Sequence, residues 1–258
     1  TNIVAGILNN VFGTRAVVEA AIAGDVKDLV LVSTDKAVNP TNVMGATKRC
    51  AELVVQAYAA DDSTTRLSMV RFGNVLASSG SVVPLFREQV RKGGPVTVTH
   101  PDVTRYFMTI PEAAQLVVQA SGIARGGEVF LLDMGKPVRI RDLAVQVIEL
   151  LGKSVRDDNN PEGDIEIRYT DLRPGEKLYE ELLIDAEAQT TPHPKIRRAV
   201  EQHLPRAELI RILDELAEAC FSADTDRCRA LLRELVPQYT PSGRNFDWMA
   251  VMRDEADA

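Results

Sequence analysis

The chain has 258 residues, of which 45% are hydrophobic, so it can bury a sizeable core in one domain or in a domain with a smaller lobe. Its 30 basic and 37 acidic residues give a net charge of −7, which argues against nucleic acid or an anionic membrane as the main partner. No stretch approaches the roughly 18 uninterrupted apolar residues of a membrane span, and three scattered cysteines favour a reducing, cytoplasmic location.

Helices and strands alternate in the first part of the chain. Helical spacing of apolar residues predicts a helix over 11–23 that ends at Gly24, and an apolar run predicts a buried strand over 29–32. A long Ala-rich helix over 45–60 and a strand over 67–72 follow. This alternation is typical of a parallel sheet that is buried on both faces, so the predicted fold class is α/β, with a Rossmann-like doubly wound parallel sheet.

After Asn74 the sequence becomes rich in Ser, Gly and Pro, and the chain is predicted to leave the sheet and return to it. The further predicted elements are an extended piece at 95–99, helices at 111–120 and 137–151, strands at 129–132 and 165–169, and an antiparallel helical pair at 209–221 and 226–235.

The pattern predicts four units: an α/β sheet domain over 1–75 with 110–135, a smaller lobe over 76–109 with 136–200, a helical appendage over 201–240, and a flexible acidic tail over 241–258.

The polar run 33–48 (STDKAVNPTNVMGATK) directly follows the predicted strand 29–32. It brings a carboxylate, hydroxyls and two ammonium groups to the carboxyl end of a buried strand, which is where ligands bind in open α/β sheets. A solvated loop with a helix N-cap is the alternative interpretation, although it does not explain the whole arrangement. The run therefore indicates a functional site.

Together with residues 71–75, 79–86, 104–109 and 172–177, this run resembles the extended short-chain dehydrogenase/reductase superfamily. Within that superfamily it is similar to the UDP-N-acetylglucosamine 4,6-dehydratases of bacterial polysaccharide biosynthesis, and the resemblance extends to about residue 199. Met44 stands where these enzymes usually carry a tyrosine, four residues before Lys48. The long, membrane-anchored branch of the dehydratases shares this replacement.

The resemblance implies that 1–75 with 110–135 form the C-terminal half of a dinucleotide-binding domain and that 76–109 with 136–200 form the substrate-binding lobe. It also implies site residues of three kinds. It implies a catalytic group formed by Thr34, Asp35, Lys36, Met44 and Lys48. It implies NAD or NADP as cofactor, contacted by Ser33, Lys48, Phe72 and Asn74. It implies a UDP-sugar held by Asn74, Ser81, Val82, Val83, Pro84, Phe86, Arg105, Arg173 and Glu176. No metal site is predicted, because the histidines share no metal-ligand spacing.

Asp35 and Lys36 suit a water elimination. Once carbon 4 of the sugar is a ketone, a neutral lysine can remove the acidified proton on carbon 5 while a protonated carboxyl group donates to the departing 6-hydroxyl. Met44 has no titratable proton. Lys36, Thr34 or a bound water must therefore assist the oxidation, or the 4-hydroxyl loses its proton as the hydride departs.

The sequence contains no glycine-rich turn between a strand and a helix, the usual cradle for a dinucleotide pyrophosphate. We therefore interpret the chain as the C-terminal part of a longer enzyme and expect it to be inactive alone. The resemblance implies a homo-oligomeric parent, anchored to the cytoplasmic face of the inner membrane through its N-terminal region. A UDP-sugar 4-epimerase or reductase, or a non-catalytic nucleotide-sugar-binding fragment, are the alternatives.

Overall fold

The computed structural model describes residues 2–60, 64–76, 78, 80–181, 188–201 and 203–241. Its helices are α1 (Ile3–Ile7), α2 (Gly13–Ala23), α3 (Val43–Ala59), α4 (Val82–Arg91), α5 (Ile110–Ile123), α6 (Ile140–Leu150), α7 (Arg206–Phe221) and α8 (Thr225–Leu235). A π-helical stretch, Leu8–Phe12, joins α1 to α2, and a short 3-10 helix, Asp35–Ala37, precedes α3.

The strands are β1 (Asp28–Thr34), β2 (Arg66–Phe72), β3 (Asn74–Val75), β4 (Val96–Val98), β5 (Thr104–Arg105), β6 (Phe107–Met108), β7 (Val129–Leu132), β8 (Val138–Arg139), β9 (Val155–Arg156), β10 (Ile165–Tyr169), β11 (Ala188–Thr190) and β12 (Ile196–Ala199). The main sheet has five strands in the order β1-β2-β7-β12-β11. Strands β1, β2 and β7 are parallel, and β12 is antiparallel to β7. The predicted α/β class with a Rossmann-like parallel sheet is confirmed.

The helical pair α7–α8 is part of the main core. Leu213 and Leu231, one from each helix, are fully buried in the same apolar cluster as Val54 of α3 and Ile7 of α1. Helix α3 is consequently covered along most of its length, and Lys48 is its only residue between Gly45 and Tyr58 that is not buried. The predicted antiparallel pair is present, and it covers α3.

The smaller lobe has a core of its own. A three-stranded sheet in the order β4-β10-β9 packs with α4 and α6 around Phe86, Val96, Ile148 and Ile165. Two short pairings, β3 with β6 and β5 with β8, lie between this lobe and the main sheet. They hold the segment 104–108 next to the carboxyl end of β2.

Two features differ from the sequence-based expectations. Helix α4 was not predicted, because Pro84 and the surrounding Ser and Gly residues suggested an irregular segment; Pro84 lies in the first turn of the helix, where its missing N–H costs no hydrogen bond. Strands β11 and β12 lie within the range assigned to the smaller lobe, yet they pair with the main sheet. Residues 242–258, predicted as a flexible tail, lie outside the described residues.

Among the described residues, the helices are too short or too polar to cross a membrane.

Candidate active site

The polar run after β1 folds into a tight turn at the carboxyl edge of the main sheet. Thr34 is the last residue of β1, and its hydroxyl accepts a hydrogen bond from the backbone N–H of Lys36 at 3.3 Å, which caps the short 3-10 helix. Helix α3 begins directly against this turn, since a Cβ atom at Gly45 would lie 2.2 Å from the carbonyl oxygen of Lys36. Glycine is required there because only a residue without a side chain permits this approach.

Asp35 is fully buried in this turn. Its Oδ1 accepts hydrogen bonds from the hydroxyl of Thr34 and from Nζ of Lys36, both at 2.9 Å. Its Oδ2 is buried and has no hydrogen-bond partner among the described residues. This oxygen faces Gly73, where a Cβ atom would approach it to 2.9 Å. A buried carboxyl oxygen without a partner is unfavourable unless it carries a proton or meets a ligand.

Three oxygens surround Nζ of Lys36, and the ammonium group has three donors to match them. They are Oδ1 of Asp35 at 2.9 Å, Oδ1 of Asn74 at 3.4 Å and Oε1 of Glu180 at 3.5 Å. Asp35 and Lys36 are adjacent in sequence and would point to opposite faces in a regular strand. The 3-10 turn removes this restriction, and both functional groups meet at one place.

Met44 and Lys48 lie one helical turn apart on the uncovered side of α3. Met44 is 39% exposed, and Nζ of Lys48 donates a hydrogen bond to the carbonyl oxygen of Val32 in β1 at 3.1 Å. Val32 is itself exposed. Val32, Met44 and Lys48 thus present two apolar side chains and one cation beside the end of β1.

A buried ionic network underlies the turn. Ser33 donates to Oε1 of Glu52 at 2.5 Å, and Arg71 binds both Glu52 and Glu201, with Arg49 completing the group. Burial alone raises the pKa of Glu52, but Arg71, Arg49 and Ser33 outweigh it and the pKa is lowered. Because Ser33 and Arg71 lie near the carboxyl ends of β1 and β2, the network ties the two strand ends to α3.

The predicted substrate residues Arg105 and Glu176 contact one another. Nη2 of Arg105 donates to Oε1 of Glu176 at 2.9 Å, and Nη1 donates to the carbonyl oxygens of Thr104 and Leu178 at 2.7 Å and 3.3 Å. Arg173 is exposed, and its guanidinium forms no ion pair with any residue that the structure describes. Arg173 is therefore the more accessible of the two predicted arginines.

The segment 81–86 forms the start of α4. The hydroxyl of Ser81 is buried without a hydrogen-bond partner among the described residues. Val82 and Val83 are half-buried, Pro84 is exposed, and Phe86 is fully buried in the core of the smaller lobe. Phe72 packs on the apolar cluster around β7. The structure therefore gathers Thr34, Asp35, Lys36 and Asn74 at one point, whereas Phe86 and Ser33 face inwards.

Glu180 and Glu52 were not among the predicted site residues. Glu180 comes from a distant segment, 172–181, that docks on the turn through hydrogen bonds from Thr41 and Asn42 to the carbonyl oxygen of Gly175. No local pattern distinguishes Glu180 from the neighbouring glutamates of that segment. Glu52 lies in an amphipathic helix, where a charged residue is ordinarily expected at the surface.

The sequence matches known proteins along most of its length. It is 55% identical over 211 residues to the capsular polysaccharide biosynthesis protein CapD of Staphylococcus aureus, covering 81% of this chain and 34% of CapD. It is 37% identical over 183 residues to the UDP-glucose 4-epimerase of Rickettsia rickettsii, covering 70% of this chain and 50% of that enzyme. The chain thus spans between a third and a half of the length of these relatives.

Solved structures share the fold. Pen from Bacillus thuringiensis matches with a TM-score of 0.66 and 35% sequence identity, covering 81% of this chain and 68% of Pen. A complex of DesIV, a dTDP-glucose 4,6-dehydratase from Streptomyces venezuelae, with NAD matches with a TM-score of 0.59 over 68% of this chain and 57% of DesIV. At 21% identity the latter shows the fold alone. Residues 1–201 also match the family described as "Polysaccharide biosynthesis protein", and the chain therefore belongs to this family of polysaccharide biosynthesis proteins.

Proposed function

We propose that this chain carries the catalytic turn and the sugar-binding lobe of an NAD(P)-dependent nucleotide-sugar 4,6-dehydratase that acts on UDP-N-acetylglucosamine. The observation that carries the proposal is the contact between Lys36 and Asp35 at the carboxyl edge of the sheet, with Oδ2 of Asp35 left free by the described residues. An acid and a base side by side are what a water elimination requires. The relationship to CapD supports a role in polysaccharide biosynthesis.

The surface beside the end of β1 fits the nicotinamide end of the cofactor. Val32 and Met44 offer apolar contact to a flat ring, and Lys48 is within reach to bind a ribose hydroxyl. When bound, the cofactor would supply a hydride acceptor for carbon 4, as the 4-hydroxyl loses its proton to a bound water, and a hydride donor for carbon 6, as carbon 5 takes up a proton. The residues that would hold the pyrophosphate are not identifiable in this sequence, which lacks a glycine-rich turn.

Lys36 and Asp35 divide the elimination between them. In its neutral form Lys36 removes the proton from carbon 5, which the ketone at carbon 4 has acidified. Asp35 is the proposed acid: its Oδ2, which no described residue contacts, would give a proton to the departing 6-hydroxyl, while its Oδ1 keeps the hydrogen bonds from Thr34 and Lys36. The bond between carbon 5 and hydrogen and the bond between carbon 6 and oxygen break, a carbon–carbon double bond forms, and water leaves.

Thr34 places a hydroxyl in direct contact with Asp35 and replaces part of what a tyrosine at position 44 would supply. Its Oγ1 already donates to Asp35, so it can orient the 4-hydroxyl of the sugar by accepting a hydrogen bond from it.

Arg173 and Asn74 are proposed to bind the diphosphate, because a guanidinium fork and an amide both suit phosphate oxygens. Arg105 could bind the diphosphate only after releasing the carboxylate of Glu176.

Substitution of the pair tests the mechanism in the complete protein. Asp35→Asn and Lys36→Ala should each lower dehydration of UDP-N-acetylglucosamine by about 10²-fold or more, the usual effect of losing a positioned acid or base. Exchange of the carbon 5 hydrogen with solvent deuterium, followed by NMR, should fall most in Lys36→Ala, while oxidation at carbon 4 suffers less. Near-normal dehydration in both variants would contradict this mechanism, although the fold assignment would still stand.

A further inference from the structure

Glu180 lies between the candidate base and a buried arginine. Its side chain is only 5% exposed, and its Oε1 is 3.5 Å from Nζ of Lys36 and 3.5 Å from Nε of Arg105. The guanidinium of Arg105 holds this buried carboxylate in place, since breaking their contact would leave an uncompensated charge in a poorly solvated site.

Arg105 is anchored on its other side. Its Nη1 donates to the backbone of Thr104 and of Leu178, and its Nη2 donates to Glu176, which also accepts from the hydroxyl of Thr99 at 3.1 Å. Most of the donors of this guanidinium are therefore in use within the described residues. These contacts fix the position of Arg105 next to Glu180 and leave few of its N–H donors free to bind a diphosphate.

We propose that Glu180 is a positioning residue that orients Lys36 for proton removal from carbon 5, and that Arg105 acts through Glu180. The inference rests on the proposed dehydratase function and adds a residue to it. A neutral lysine keeps two N–H donors and one lone pair. Two of the three oxygens around Nζ can hold those donors, and the lone pair is then directed towards the substrate. Asp35 lies on one side of Nζ, and Glu180 supplies an oxygen from the other lobe.

The test compares Glu180→Gln with Glu181→Gln in the complete protein. Glu181 is a matched control because it is the next residue along the chain and contacts Asn39 and Lys177, away from Lys36. With UDP-N-acetylglucosamine and NAD in deuterated buffer, carbon 5 exchange and carbon 4 oxidation are measured separately. Glu180→Gln should lower the ratio of exchange to oxidation by about 10- to 100-fold, the range expected for a misplaced catalytic group, with KM unchanged. Glu181→Gln should keep the wild-type ratio.

Four further outcomes are decisive. A wild-type ratio in folded Glu180→Gln, or a raised KM with exchange intact, would overturn the proposal, and the second result would assign Glu180 and Arg105 to substrate binding. If Glu180→Gln lacks a cooperative unfolding transition, Glu180→Asp is measured instead, with Glu181→Asp as its control. The ratio of exchange to oxidation should then be lower in Glu180→Asp than in Glu181→Asp, and equal ratios would overturn the proposal. If the dehydratase function itself is wrong, the wild-type protein will show no carbon 5 exchange. That result would overturn both the proposed function and the role of Glu180.

Discussion

At Gly45, a single added methyl group would push on the backbone of the turn that carries Asp35 and Lys36. A Cβ atom there would lie 2.2 Å from the backbone oxygen of Lys36 and 3.0 Å from Cβ of Pro40. Because the first of these atoms belongs to the backbone, the turn that carries Asp35 and Lys36 would have to move away from α3.

Gly45→Ala should therefore destabilise the fold by about 1–3 kcal/mol, the usual cost of overpacking, and should lower dehydration more than substrate binding. Urea unfolding and steady-state kinetics of the complete protein measure the two effects. Gly122→Ala is the control, since Gly122 is also helical and a Cβ there meets nothing within 4 Å. Equal stability and activity in the two variants would show that the close approach has no functional consequence.

At the level of secondary structure, the buried network of Glu52, Arg71 and Glu201 joins α3, β2 and the segment after β12. Removing one member of a buried ion group leaves an uncompensated charge, so Glu52→Gln should cost about 3–5 kcal/mol of unfolding free energy. The exposed i,i+4 pair of Glu88 and Lys92 supplies the control: Glu88→Gln should cost less than about 1 kcal/mol.

The pH dependence of the same network has a definite sign. Burial acts to raise the pKa of Glu52 in the folded state, but the interaction with Arg71 outweighs burial, so the pKa is lowered. Its stabilisation is therefore present above the unfolded pKa of about 4.3 and is lost as the pH falls through the lowered folded value. Urea midpoints measured between neutral and acid pH should converge for wild type and Glu52→Gln at the acid end. A constant difference at every pH would contradict the assignment.

The helices and strands of the parallel sheet were predictable because their patterns are local. The apolar run at 29–32 and the helical spacing before Gly24 need no tertiary information, and the observed β1 and α2 agree with them. Asp35, Lys36 and Asn74 follow strand ends, so their meeting was also predictable. Glu180 was not, because its place depends on how a distant loop docks on Asn42, and α4 was hidden by Pro84 in its first turn.

Across the whole molecule, the C-terminal helical pair shares its core with the main sheet. The spacing of apolar residues predicts the pair, and we predicted it as an appendage, since helical spacing shows that one face is apolar but does not show what covers that face. In the structure Leu213 is fully buried in the cluster that contains α3, whereas Phe221 at the end of the same helix is 97% exposed.

This packing predicts cooperative unfolding. Leu213→Ala should cost about 2–5 kcal/mol, the range for truncating a buried leucine, and Phe221→Ala should be close to neutral. Urea unfolding followed by circular dichroism should show one transition that shifts as a whole in Leu213→Ala. A second, separate transition, or an unshifted midpoint, would show that the pair folds independently of the sheet.

The most direct measurement is the identity of the product made by the complete wild-type protein from UDP-N-acetylglucosamine with NAD or NADP. Mass spectrometry and NMR should find a sugar nucleotide that has lost one water, carries a ketone at carbon 4 and a methyl group at carbon 6, and contains solvent deuterium at carbon 5 when the reaction runs in deuterated water. A product of unchanged mass that differs only in configuration at carbon 4 would contradict the dehydratase and indicate an epimerase on the same fold.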